Sequence, residues 1–300
     1  MRYKDLSLGI FVMAIWGVNF IAIKVSTTNL NPLLVTALRF TLAAIPAIFF
    51  IPKPPVAWRY ILSYSLVFGT GIWGLATCSL TAGLSPGMAS LLLQLNAAIS
   101  VLLGWLILKE TVSTQKILGA SLAILGLWIA FLIEDGSVSP LGVVLVILAA
   151  TCWGISGLIV KAANTKEVFA FIVWSLLFAP IPLLVLALAL EGKEVLNNLI
   201  EIDKLTLASI LFQAWPTTLL GYWIWNRLVV TYPLSTIAPL TLLVPIFGLL
   251  ASWLVYQEPL GIVKICSSLL IISGLIAGVI KWDKVRLSKK KQANVPINIQ

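Results

Sequence analysis

The feature that most constrains this chain is a succession of apolar runs, each close to the length that crosses a bilayer. They cover Leu6–Ile23, Pro32–Ile51, Ile61–Leu80, Met88–Leu108, Ile117–Ile133, Leu141–Val160, Val168–Leu190, Leu205–Trp225, Leu234–Tyr256 and Leu260–Ile280. A spanning helix takes roughly 20 apolar residues, so these runs leave room for little besides short connections. In hydrocarbon every backbone polar group must be satisfied within its segment or in a closed barrel. Barrel strands alternate apolar and polar residues; these runs do not, which predicts helices. The breaks carry turn chemistry at Pro52 to Pro55, Gly83 to Gly87 and Glu134-Asp135-Gly136. Composition agrees, with 60% hydrophobic and 10% charged residues, against about 25% charged in a soluble domain.

The chain also repeats itself. WGVNFIAIK at Trp16 to Lys24 returns as WGISGLIVK at Trp153 to Lys161, with each matched residue 137 positions on. Trp105 and Trp253, Glu110 and Glu258, and Gly126 and Gly274 are each 148 apart. A fixed self-offset of this size marks a duplicated unit, with five of the ten runs in each copy. Most of the 20 basic residues fall where loops lie on one side if the N-terminus is on that side. Lys and Arg concentrate in cytoplasmic loops, so both termini are expected in the cytoplasm. An odd number of spans per copy then inverts the second copy relative to the first, the arrangement of many secondary transporters. The expected fold is an all-α integral membrane protein of ten transmembrane helices in two inverted five-helix repeats. The units are residues 1–136, residues 137–282 and a basic cytoplasmic tail over 283–300.

Several function classes are excluded by what is missing. There is no histidine, and Cys78, Cys152 and Cys266 lie far apart, so neither a metal site nor a disulfide framework is expected. No G-x-x-x-x-G-K-[ST] loop is present to cradle ATP phosphates. No cofactor is called for, and nothing reads as a nucleic-acid module. A membrane-embedded transferase would want clustered acids or histidines, so the chain is read as a non-enzyme. The tail KWDKVRLSKKK anchors topology and can touch anionic lipid.

Polar groups inside spans are costly there and default to functional candidates. The acids all map to span ends or loops, which disfavours a carrier of lipophilic cations. At depth the chain has Asn19, Arg39, Gln94 and Asn96, with Lys24 at a span end; this mix suits a carboxylate-bearing or zwitterionic solute. Gln94 and Asn96 are two apart, about 200° round an α-helix, so one of them is expected to make a helix contact instead of facing a cavity. Trp16, Trp153 and Trp174 are candidates for cavity walls, and Trp58 and Trp282 for interface anchors. Pro239 and Pro245 mark a hinge or broken helix. The 148 offset pairs Pro245 with Ala97 and Val244 with Asn96, so the two copies bring different chemistry to a shared cavity.

The paired WG motifs ending in Lys, ALRF around Arg39, SPGMASLLLQLNAAISVLLGW running into Lys109-Glu110, and APLTLLVPIFGLLASWL running into Glu258 resemble the EamA-type branch of the drug/metabolite transporter superfamily. WGVNFIAIK, PAIFF, GMASLLLQ and IEDGS are most similar to bacterial O-acetylserine/cysteine exporters. The resemblance covers essentially the whole chain. It implies ten helices in two EamA repeats, a central cavity, alternating access and residence in the bacterial inner membrane. It places the repeat-ending glutamates at Glu110 and Glu258 as structural positions. Ala97, where the family commonly has the proline seen at Pro245, is a departure beside Asn96. The expectation is an exporter of small amino-acid metabolites such as cysteine and O-acetylserine, with Arg39 or Lys24 meeting the carboxylate and Asn19, Gln94 or Asn96 the amino or polar end. The same fold also carries aromatic amino acids, sugars and drugs; a channel or scaffold is a more distant alternative. Oligomeric state is not readable from these features.

Overall fold

The structure is a computed structural model that describes residues 1–109, 112–197, 199, 202–232 and 237–279. Among these residues there are helices and no strands. Glu110, Trp282 and the tail over 283–300 lie outside the described residues. Six helices are long and apolar enough to cross a membrane: α1 (Tyr3–Ser26), α3 (Trp58–Thr81), α4 (Pro86–Ile107), α6 (Pro140–Ala163), α7 (Val168–Glu191) and α9 (Pro239–Tyr256). Three are shorter and apolar: α2 (Pro32–Ile48), α5 (Thr114–Ala130) and α10 (Ile262–Val279). Between α7 and α9 runs a composite rod, α8, made of Lys204–Phe212, Gln213–Leu220 and Gly221–Thr231 in unbroken succession. Of the ten expected spans, six correspond to helices long and apolar enough to cross a membrane among the described residues.

Helix starts follow the local sequence. Asn31 accepts from the backbone N–H groups of Leu33 and Leu34 at the head of α2, and Ser85 and Ser139 cap α4 and α6 ahead of Pro86 and Pro140. These side chains satisfy donors that have no partner inside the helix, and proline at the first position has no N–H to lose.

The duplicated glycines explain the duplicated motif. A Cβ on Gly17 would lie 2.7 Å from the Val244 carbonyl oxygen and 2.8 Å from the Gly248 nitrogen, so α1 crosses α9 backbone to backbone. A Cβ on Gly154 would lie 2.8 Å from Leu103 and 3.2 Å from the Ser100 hydroxyl, so α6 crosses α4 closely too, here against side chains. The first helix of each repeat therefore packs on the fourth helix of the other. Gly126 and Gly274, also repeat mates, serve the pairing of α5 with α10: a Cβ on Gly274 would sit 2.5 Å from the Gly119 carbonyl oxygen, and one on Gly126 2.9 Å from the Ser267 carbonyl oxygen. Small residues allow this approach where lipid provides no hydrophobic drive between helices.

The α1–α2, α3–α4, α5–α6, α7–α8 and α9–α10 connections share one face of the bundle. Asn29 bonds Asp203, the Ser85 N–H donates to the Ser137 carbonyl, and the Ser139 hydroxyl donates to the Ala82 carbonyl. At this face the structure departs from the reading of the acids as peripheral. Glu258 is 6% exposed and Lys264 only 1%. Lys264 Nζ lies 2.9 Å from Glu258 and 2.7 Å from Asp135. Glu258 also accepts from the hydroxyls of Ser85, at 2.6 Å, and Ser252. Because Asp135 and Ser85 belong to the first repeat and Glu258, Ser252 and Lys264 to the second, the cluster ties the two together. Substituting Gly17→Ala should lower stability by about 1–3 kcal/mol, the usual cost of overpacking, read as a lower melting temperature of the purified protein.

Candidate substrate cavity

The irregular segments of the bundle come in repeat-related pairs, and they surround one space. The third helix of each repeat contains a π-helical stretch, Leu66–Gly74 in α3 and Gln213–Leu220 in α8. The fourth helices contain 3-10 turns, Leu93–Leu95 within α4 and Ala238–Leu242 at the start of α9. In α8 the cause is Pro216, which lacks an N–H and crowds the preceding turn. In α9 the 3-10 turn Ala238–Leu242 carries Pro239 at its start. Pro245 falls in the first turn of the following α-helical stretch, where a missing donor breaks no helical bond.

Backbone carbonyls around such breaks need partners, and the opposite repeat supplies them. Trp16 Nε1 donates to the Thr217 carbonyl at 3.0 Å, and Gln94 Nε2 to the Thr241 carbonyl at 2.7 Å. The first contact needs Gly221, where a Cβ would meet Trp16 Nε1 at 2.6 Å.

Between these elements lies a cavity of about 240 Å³. Its walls are aromatic: Trp16 packs on Tyr222 and Trp225 with ring centroids 5.3 and 5.8 Å apart, and Trp73 packs on Trp153 at 6.0 Å. Its polar edge is neutral, formed by Ser90, Gln94, Asn96, Thr217 and Thr241, and no acid or base is among the lining residues. A second cavity of about 220 Å³ shares Ala97 and Leu275 with it and continues along α5 and α10 to Lys116 and Gly278. That route leads toward the face carrying the N-terminus. No residue of the Lys264 cluster lines either cavity.

Of the residues singled out in the sequence, Trp16, Gln94, Asn96 and Trp153 line the central cavity together. Gln94 and Asn96 both reach it, against the expectation from α-helical spacing. The 3-10 turn between them advances about 120° per residue, which leaves them closer on the helix surface than α-helical winding does. Lys24 stands apart, donating to the Leu80 carbonyl at the end of α3 at 2.9 Å. Trp174 also stands apart; its Nε1 donates to the Ile51 carbonyl and its ring meets Trp58 edge-on. Asn19 is fully buried, and neither its amide nitrogen nor its oxygen has a hydrogen-bond partner. Arg39 is 1% exposed and lies behind the cavity wall. Its Nε and Nη2 donate to the Thr218 hydroxyl at 3.1 and 3.0 Å, and its Cζ stands 4.2 Å from the Trp73 ring centroid.

Sequence reasoning passed over Trp73, Thr217, Tyr222 and Trp225. Trp73-Gly74 is a further WG pair, and Thr217 adjoins Pro216; both signals are present once the breaks are taken as cavity-forming.

Two repeats of helices, crossed through glycine and broken around an enclosed neutral cavity, define a membrane solute carrier. The chain belongs to the EamA-like transporter family, which matches it over residues 4–132 and again over 140–279. A "Probable amino-acid metabolite efflux pump" of Escherichia coli (strain K12) is 34% identical over 295 residues, spanning 95% of this chain and 98% of that protein. A protein of the same description from Salmonella typhimurium is 35% identical over 288 residues, spanning 93% and 96%. A solved structure described as "Crystal structure of protein" superposes with a TM-score of 0.62 at 14% identity, covering 97% of this chain and all of that one, which supports the fold.

An unpaired buried amide costs about 1–3 kcal/mol per group. Asn19→Leu, of similar branching, should therefore leave the purified protein as stable as the parent or raise it by about 1 kcal/mol, measured by thermal unfolding.

Proposed function

We propose that this chain exports small amino-acid metabolites, with cysteine and O-acetylserine as first candidates, by alternating access in a bacterial inner membrane. The observation that carries the reading is the enclosed cavity of about 240 Å³ at the junction of the two repeats, aromatic on its walls and neutral and polar at its edge. The description of the relatives as amino-acid metabolite efflux pumps supports the same substrate class. All ten helical rods are taken as spans, in two inverted repeats over 1–136 and 137–282, with both termini cytoplasmic. A second reading, export of aromatic amino acids on the same cavity, is favoured by Trp16, Trp73, Trp153, Tyr222 and Trp225 in its lining.

Counterflow in proteoliposomes tests both readings. Vesicles preloaded with unlabelled cysteine or O-acetylserine should take up labelled cysteine faster than empty vesicles, with no ion gradient and with reductant present. Counterflow of labelled phenylalanine into phenylalanine-loaded vesicles, with none of labelled cysteine, would move the assignment to the second reading.

Alternating access requires the Lys264 cluster to come apart, because it joins the repeats on the face away from the second cavity. Removing one partner of a buried ion pair costs about 3–5 kcal/mol, here by leaving Glu258 and Asp135 without their shared cation. A cavity cysteine, Ala97→Cys, is placed in a background with Cys78, Cys152 and Cys266 changed to Ala. Lys264→Met should speed its labelling by an impermeant maleimide from that face by at least about tenfold.

Acid should act on the same contact. Burial pushes the Asp135 carboxyl up, but hydrogen bonds from Lys264 and Ser137 outweigh it and hold the group below its ordinary value of 3.8. A depressed carboxylate stabilises the state it belongs to above the ordinary range and loses that effect as pH falls through the depressed value. Labelling from that face, divided at each pH by the rate for a free thiol to remove the falling thiolate fraction, should be constant from neutrality down to about pH 5 and rise only in stronger acid.

A further inference from the structure

Arg39 is a cation in the interior with no ion pair among the described residues. Thr218 occupies Nε and Nη2, while Nη1 has no partner. A guanidinium can engage a carboxylate through two parallel N–H donors, so this one is coordinated well below its capacity. A charge without a partner inside a membrane protein is costly and points to a ligand. Lys24, the other basic candidate, is committed to the Leu80 carbonyl.

Arg39 adjoins the wall of the central cavity. Its guanidinium stacks on Trp73, and Trp73 lines the cavity. Thr218, which holds it, is the neighbour of the lining residue Thr217. Trp73 is the penultimate residue of the π-helical stretch Leu66–Gly74, and such stretches in α-helices recur at functional sites. The indole thus touches both the buried cation and the space in which a solute sits.

The geometry points to Arg39 as a carboxylate subsite covered by Trp73: the indole holds the guanidinium by a cation–π contact, and a substrate carboxylate displaces the ring to reach Nη1. The proposal rests on the amino-acid reading above and adds to it a selection rule. A solute with an ionised carboxyl gains the charge-assisted bonds that repay displacement of the ring, and one with a neutral carboxamide does not. Trp73 is then a specificity-determining residue in addition to a wall.

The test is binding of cysteine and of cysteinamide, under reductant, to the purified full chain by isothermal titration calorimetry. Wild type should prefer cysteine by at least about tenfold, as expected of charge-assisted pairing. Arg39→Gln should abolish that preference while Arg39→Lys, a point charge, keeps part of it. Trp73→Phe, whose ring holds a cation less strongly, should tighten cysteine binding about threefold and leave cysteinamide unchanged. A ring that only forms wall would, on the same substitution, weaken both ligands alike. Equal binding of acid and amide by wild type, or weaker binding of both by Trp73→Phe, would overturn the subsite and leave the amino-acid reading standing. Wild type binding neither, with no counterflow, would overturn the amino-acid reading itself. If Arg39→Gln does not fold, Arg39→Lys and Trp73→Phe decide the matter between them.

Discussion

The structure depends on how backbone polar groups freed inside a membrane are given partners. An unbroken α-helix satisfies its own carbonyls and presents nothing to a polar solute. Among the described residues four helices are broken, two per repeat, and the two breaks of the second repeat are answered by side chains from the first: Trp16 for the Thr217 carbonyl and Gln94 for the Thr241 carbonyl. The same bonds that make the breaks tolerable also draw both repeats around one space. Cavity formation and inter-repeat association are here a single physical event. The glycine crossings of α1 on α9 and α6 on α4 bring the backbones close enough for it.

Much of this was legible in the sequence, and the limits have identifiable causes. The duplication, the helical class and the WG tryptophans at the cavity follow from run length, self-offset and the cost of polar groups in lipid. Gln94 and Asn96 defeated simple spacing because a 3-10 turn lies between them, and no residue type at 93–95 announces it. The breaks in α8 and α9 were signalled by Pro216 and Pro239, whereas that in α3 rests on Gly69, Gly71 and Gly74, which suggest close packing as readily as looseness. Glu258, Lys264 and Asp135 looked like loop and end residues because they are near span termini. The burial of Glu258 and Lys264 comes from packing between parts of the chain distant in sequence, which hydropathy cannot report, and Asp135 reaches Lys264 from an exposed loop.

The two ends of the bundle are held by interactions of different kinds. At one face, buried charge bridges the repeats through Lys264 with serine hydroxyls completing the shell of Glu258. At the other, Asp5 accepts from Arg2 and from the Tyr232 hydroxyl, and Arg2 is largely exposed. Charged contacts shielded from water resist screening by salt, while exposed ones contribute little. The two closures therefore differ in strength although the repeats that make them are related by descent.

The inverted duplication would by itself give a solute two equivalent ways to sit, one the image of the other. The bond from Gln94 to Thr241 removes that equivalence, because the residue 148 positions after Gln94 is Leu242, an apolar group that cannot return the contact. Asn96 faces Val244 under the same offset. The cavity is thus chemically uneven inside a two-fold frame, with amides from the first repeat at Gln94 and Asn96 and hydroxyls from the second at Thr217 and Thr241. A group that seeks an amide partner therefore finds it on one side of the cavity only.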